Sequence, residues 1–172
     1  MSSCLLIDKL TSMTASNTSP DIVLFRRGDI LSGESNHPIN IDGVVWPTVE
    51  HYYQAARFSN PAIRDRIRGM ATTQLAIKES QVYRHTAVKD WTRIRLGCLT
   101  DAFRAMFSQH DECKKHLLET GDAELYQLGL YDDYWGFDRN GRGQNQLGAV
   151  LAKLRDEFRR DEVLQDSLQC VE

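Results

Sequence analysis

The sequence predicts a mainly α fold, a compact single domain with a small β-hairpin element near the N-terminus. From residue 48 onward apolar residues recur at the helical spacing of about 3.6, and β-like alternation is confined to the first third of the chain. The length of 172 residues is that of one ordinary domain. Such a chain buries roughly 70% of its unfolded surface and needs no disulfide or metal to hold it together.

Taken in order, residues 1–20 are rich in Ser, Thr and Asn and read as a loose N-terminal tail. Residues 21–25 read as a short strand. Gly28, Ser32, Gly33, Ser35, Asn36 and Pro38 cluster as an irregular loop. Residues 39–46 alternate around Asp42-Gly43, a short-turn signal for a hairpin. Thr48 is placed to cap a helix running to about Phe58, with Glu50 in the first turn where the helix dipole favours an acid. Asn60-Pro61 ends that helix and begins another. The clearest element starts near Asp90, where Trp91, Ile94, Cys98, Leu99, Ala102, Phe103, Met106 and Phe107 form one apolar stripe. Ser108-x-x-Asp111 resembles a capping box opening a helix that carries Leu117 and Leu118. Leu147, Val150, Leu151, Leu154 and Phe158 mark a last amphipathic helix. The domain is therefore expected over residues 21–160, with a charged C-terminal tail over 161–172.

A formal net charge of −3 argues against a broad electrostatic grip on a nucleic-acid backbone and leaves room for a local basic pocket. Cys4, Cys98, Cys113 and Cys170 are far apart and show no CxxC or Cys/His ligand spacing, so no metal site and no disulfide framework is suggested. The N-terminus lacks the basic flank and apolar run of a signal peptide, and no stretch approaches the roughly 20 apolar residues of a membrane span. A cytoplasmic protein with reduced thiols and no membrane partner is the expectation.

Four groupings stand out from the polar background as candidates for chemistry. On a helix, Glu50, Tyr53 and Gln54 share a face behind the Trp46-Pro47 corner, suited to a ribose or a base edge. Asp132 and Asp133 stand beside Tyr134, Trp135 and Gly136. Two carboxyls in unlike surroundings, one kept protonated, are what hydrolysis of a glycosidic bond requires. Arg142, Gly143, Asn145 and Gly148 belong to a glycine-rich loop running into a helix, where free backbone N–H groups bind anions. The loop at residues 28–36 is placed to close over a ligand. Each pattern alone is also that of an ordinary capped helix, anchored turn or connector.

Together the segments resemble the NADAR family, also called YbiA-like. The stretch Asp42-Gly43-Val44-Val45-Trp46-Pro47-Thr48-Val49-Glu50-His51-Tyr52-Tyr53-Gln54-Ala55 is followed by Asp90-Trp91 and by Leu117-Leu118-Glu119-Thr120-Gly121. Asp132 through Gly136 and Gly143 through Gly148 come next, in the family's order, and Ser35-Asn36 matches an earlier Ser-Asn. The resemblance implies a helical fold, no cofactor, and a pocket for ribose phosphate or ADP-ribose. It also implies N-glycosidase activity, on phosphoribosylamino-pyrimidines of riboflavin synthesis or on ADP-ribosylated guanine in nucleic acid. By that reading Glu50 and Asp132 are the catalytic and ribose-orienting carboxylates and Trp135 shapes the pocket. Gly143 and Asn145 hold phosphate or a ribose hydroxyl. Ser35, Asn36, Trp46, Tyr53, Gln54, Arg57, Gly136, Arg142 and Gly148 complete the substrate-binding set. One departure is Arg57, where the family usually carries Lys; a second is Met106, at another frequent lysine. A guanidinium stays protonated and is a poor nucleophile, so Arg57 suits holding an anion. A non-catalytic module that binds ADP-ribose or a related nucleotide is the alternative.

Overall fold

The computed structural model describes residues 21–128, 133–138 and 140–169. The expected tail over 1–20 and Asp132 lie outside the described residues. The chain divides into two compact units, one of residues 28–115 and the other of residues up to 27 together with those from 116 onward.

In the first unit, β2 (Ile39–Ile41) and β3 (Val44–Trp46) pair antiparallel with Ile39 opposite Trp46 and Ile41 opposite Val44. Asp42 at φ 53° and Gly43 at φ 78° occupy the left-handed region at both turn positions. That backbone matches the twist of the flanking strands, which is why an Asp-Gly pair sits there. The Gln109 amide closes the free edge by accepting from the Asn40 N–H at 2.7 Å and donating to its carbonyl at 2.8 Å.

Four helices follow: α1 (Val49–Ala56), α2 (Pro61–Arg68), α3 (Thr73–Val82) and α4 (Trp91–Gln109). Thr48, Asn60 and Thr72 cap the first three by accepting from His51 N, Ala62 N and Leu75 N, and Pro61 takes the first-turn position where its missing N–H costs nothing. Ile39, Val49, Ala55, Ile67, Ala76, Phe103, Met106 and Phe107 are fully buried and form the core, with Phe103 and Phe107 stacked at 5.9 Å. Of the stripe expected on α4, Leu99, Ala102, Phe103, Met106 and Phe107 are buried, and Trp91, Ile94 and Cys98 are half-buried.

The capping box does not form. Ser108 lies inside α4, and α5 (Asp111–Glu119) starts after His110, whose carbonyl accepts from Cys113 N and Lys114 N. Burial of Met106 and Phe107 in the last turn carries α4 past Ser108, and that packing outweighs a serine's preference for a cap.

In the second unit, β1 (Ile22–Phe25) pairs parallel with β4 (Glu124–Gln127), Val23 opposite Leu125. The β content is thus not confined to the first third of the chain. The last helix, α6 (Gln146–Gln169), extends through residues expected to be a charged tail, leaving Val163, Leu164 and Leu168 exposed. Arg155, buried on α6, donates to Thr120 Oγ1 at 2.8 Å and to the Ala123 carbonyl at 2.9 Å. Arg159 binds Asp122 at 2.6 Å and also donates to the Gly121 carbonyl.

Where α6 begins, the chain crosses β4 closely. A Cβ on Gly148 would sit 1.9 Å from the Leu125 carbonyl oxygen. Alanine in a helix ordinarily gains about 1 kcal/mol over glycine. At this position Gly148→Ala is expected to reverse that sign and destabilise by roughly 1–3 kcal/mol through overpacking. Urea unfolding measures the difference, and an equal or higher midpoint for the variant contradicts the close approach.

Candidate active site

Helix α1 assembles the first cluster. Its start is fixed twice, by the Thr48 cap and by Glu50 N donating to the Gly33 carbonyl at 2.7 Å. Gly33 belongs to the loop before the hairpin, and a Cβ there would meet Val49, Glu50 and Phe103 at 3.5–3.7 Å. The helix period then puts Glu50, Gln54 and Arg57 on one face. Gln54 Nε2 donates to Glu50 Oε1 at 2.8 Å, and Gln54 Oε1 accepts from Arg57 Nη1 at 3.2 Å. From α3, Ser80 Oγ reaches the same Gln54 oxygen at 2.6 Å. Gln54 is buried, so its acceptor capacity is filled by protein partners while one N–H orients the carboxylate.

Trp91, at the head of α4, walls this cluster. Its ring lies 5.2 Å from that of Tyr53, and the Arg57 guanidinium carbon sits 6.0 Å from its centroid. Arg57 Nε is buried and has no hydrogen-bond partner among the described residues. An unpaired buried donor on a cation costs about 1–3 kcal/mol or more, and an acceptor brought by a ligand relieves that cost.

His51, the neighbour of Glu50, has a structural role. Nε2 donates to the Met70 carbonyl at 3.2 Å, which leaves Nδ1 to accept from the Thr48 hydroxyl at 2.9 Å. Burial pushes its pKa below the ordinary value, partly offset by the Met70 contact.

The glycine-rich turn assembles the second cluster, within the other unit. The N–H of Gln144 donates to the Asp133 carbonyl at 2.6 Å and that of Leu147 to the Trp135 carbonyl at 3.1 Å, so the turn folds back on the segment before it. Cβ atoms would sit 2.4 Å from Gln127 O on Gly136 and 2.0 Å from Gly136 O on Gly143, so glycine is needed at both. Asn145 takes φ 48°, donates from Nδ2 to the Leu125 carbonyl at 2.7 Å, and leaves Oδ1 buried without a partner among the described residues. That oxygen is an acceptor suited to a hydroxyl donor. Trp135 is half-buried, edge-on to Tyr134 at 4.7 Å.

Other expected binders are differently employed. The Ser35 hydroxyl is engaged by His37 Nδ1 at 2.6 Å, and Asn36 is exposed. Arg142 is exposed and turned toward Asp138 at 3.4 Å. Trp46 is only 3% exposed, with Tyr52 edge-on at 5.4 Å and the Arg64 and Arg68 guanidiniums 5.7 and 5.9 Å from its ring. It lines a cleft of about 300 Å³ together with Asp42, Tyr52 and Arg64, a cleft whose walls include none of Glu50, Gln54 and Arg57. Sequence reasoning missed Ser80 and read Gly33 only as part of a loop placed over a ligand; both contribute through packing from distant segments. It saw Trp91 only as a helix start, although a tryptophan beside a helix N-cap was a legible signal.

Comparison with known proteins places the chain in a family. The NADAR domain model matches residues 22–159, and the chain belongs to that family. It is 37% identical over 121 residues to N-glycosidase YbiA of Shigella boydii, covering 70% of this chain and 76% of that one. It is 32% identical over 120 residues to a riboflavin biosynthesis protein of Vibrio vulnificus, covering 70% of this chain and 33% of the larger protein. The NMR structure of Escherichia coli YbiA superposes with a TM-score of 0.78 at 30% identity, covering 86% of this chain and 90% of that one.

The buried His51 gives a pH signature. In the unfolded chain it gains its proton at about 6.5, whereas in the fold it does so lower. Its contribution is therefore present above pH 6.5 and is lost as pH falls through the folded value. Unfolding midpoints measured across that range are expected to fall more steeply for the wild type than for His51→Gln. Identical pH slopes would show that His51 is not held neutral.

Proposed function

We propose that the chain is an N-glycosidase that hydrolyses the C1–N bond joining a ribose phosphate to an exocyclic amine. The observation that carries the reading is the hydrogen-bonded line of Glu50, Gln54 and Arg57 on one face of α1, in a chain whose relatives include named N-glycosidases. Gln54 holds the Glu50 carboxylate in one orientation, so its position is set before substrate arrives. Arg57 offers a cation with a spare buried donor, fitted to a phosphate oxygen.

In the proposed reaction the amine is a poor leaving group until protonated. One carboxyl donates that proton as the C1–N bond breaks; the other steadies the oxocarbenium-like carbon or takes a proton from the attacking water. Glu50 and Asp132 are proposed as this pair. Trp135 and the turn through Gly143, Asn145 and Gly148 are proposed to seat the ribose and its phosphate, with Asn145 Oδ1 accepting from a ribose hydroxyl.

The finer substrate is either an ADP-ribose linked to guanine in nucleic acid or a phosphoribosylamino-pyrimidine of riboflavin synthesis. The second draws support from the riboflavin biosynthesis protein among the relatives. Arg57 favours one alternative, a module that binds ADP-ribose without cleaving it, because a guanidinium grips and does not attack.

Incubation with ADP-ribosylated guanosine DNA, and separately with the riboflavin intermediates, is expected to release free ADP-ribose or ribose phosphate from one of them. Glu50→Gln is expected to lower kcat by roughly 10²–10⁴ with little change in melting temperature. Tight calorimetric binding of ADP-ribose with turnover of neither substrate selects the binding module, and neither binding nor turnover rejects both readings.

A further inference from the structure

His37, Glu112 and Cys113 lie apart from the residues proposed for catalysis, and the proposed reaction uses none of them. His37 ends the loop before the hairpin; Glu112 and Cys113 stand in the first turn of α5. One ligand atom from each, a ring nitrogen, a carboxylate oxygen and a sulfur, lie within 4.8 Å of one another. His37 Nε2 is 3.0 Å from Glu112 Oε1, and His37 Nδ1 is 2.6 Å from Ser35 Oγ.

We propose that these three side chains form a binding site for a divalent cation of the zinc type. The donor set is the argument. Imidazole, carboxylate and thiolate together are zinc ligands, and three protein ligands leave a fourth position for water. An imidazole that binds metal through one nitrogen is ordinarily held by a hydrogen bond at the other, and the Ser35 hydroxyl supplies that hold here. A simple histidine–glutamate pair would need no thiol, yet the Cys113 side chain is fully buried against it.

The move needed to close the site is small. Ligand atoms around tetrahedral zinc stand roughly 3.3–3.9 Å apart, by the usual bond lengths of about 2.0–2.3 Å. Glu112, 71% exposed, is free of packing restraint and can swing toward the thiol. Binding forms a zinc–sulfur bond and releases the thiol proton to solvent. His37 binds as the neutral ring through Nε2: the proton that Nε2 donates to Glu112 before metal arrives is given up as the ring takes the other tautomer, in which Nδ1–H donates to Ser35.

The bound ion would clip the loop of residues 28–38 to the first turn of α5. The same loop carries Gly33, whose carbonyl accepts from Glu50 N, so the clip would steady one anchor of α1 from outside. Short-range motif reading misses such a site because His37 and Glu112 are 75 residues apart. The earlier expectation of no metal counted only ligands close in sequence.

Cobalt(II) added to the reduced, metal-free full chain tests the site without reference to catalysis. The expected result is a thiolate-to-cobalt charge-transfer band saturating at one equivalent, absent in Cys113→Ser and displaced by zinc. Zinc is also expected to raise the melting temperature, and Glu112→Gln to weaken cobalt binding about 10–100-fold. Because Glu112 is exposed, that variant keeps the test informative even if Cys113→Ser fails to fold. No charge-transfer band, a band that survives in Cys113→Ser, or equal cobalt affinity in Glu112→Gln overturns the proposal.

Discussion

The buried side-chain amide of Gln54 is the constraint around which the candidate site is built. It is held from α3 by Ser80 and within α1 by Arg57, and it returns that fixity to Glu50. Ordering a first-turn carboxylate only at the moment of reaction would cost entropy at that point. Here the cost falls on folding instead. The hydrogen bond from Glu50 N to Gly33 fixes the backbone beneath the same side chain, so loop, helix and neighbouring helix all bear on one carboxyl.

The second unit solves a different problem by steric means. A side chain on Gly136 or Gly148 would strike a β4 carbonyl oxygen and one on Gly143 the carbonyl of Gly136, so the turn lies backbone-on-backbone against β4 and against itself. Asn145, in a left-handed conformation between Gly143 and Gly148, seals the contact with β4 with one end of its amide, while the other end is buried and has no partner among the described residues. A glycine-rich sequence of this kind need not mean flexibility. Its glycines are required by close approach, and the unpaired oxygen is the feature that points to a ligand.

Much of the helical framework was legible because it rests on local rules. The Thr48 and Asn60 caps, the Asp42-Gly43 turn and the apolar stripe of α4 are set by residues within a few positions of one another. β4 was not legible: Glu124–Gln127 is a short strand whose partner, β1, lies far back in the chain, with Ile22 opposite Glu124. Ser108 failed as a cap for the same reason, because burial of its neighbours depends on tertiary packing. Of the site, Glu50 and Gln54 were readable from helical spacing and Arg57 only through the family resemblance, whereas Ser80 entered from another helix with no sequence signal. The surroundings of Trp46 were not legible either, since its place in a motif says nothing of the two arginines beside its ring.

The central claim is that the Gln54 amide positions the Glu50 carboxylate for bond cleavage, and single-turnover cleavage by Gln54→Leu tests it most directly. The variant keeps Glu50 and a similar side-chain volume while removing the hydrogen bond between them. The account predicts a chemical step slowed on the order of a hundredfold, the usual cost of a misplaced reacting group, in protein that remains folded. A folded variant that cleaves at the wild-type single-turnover rate would contradict it.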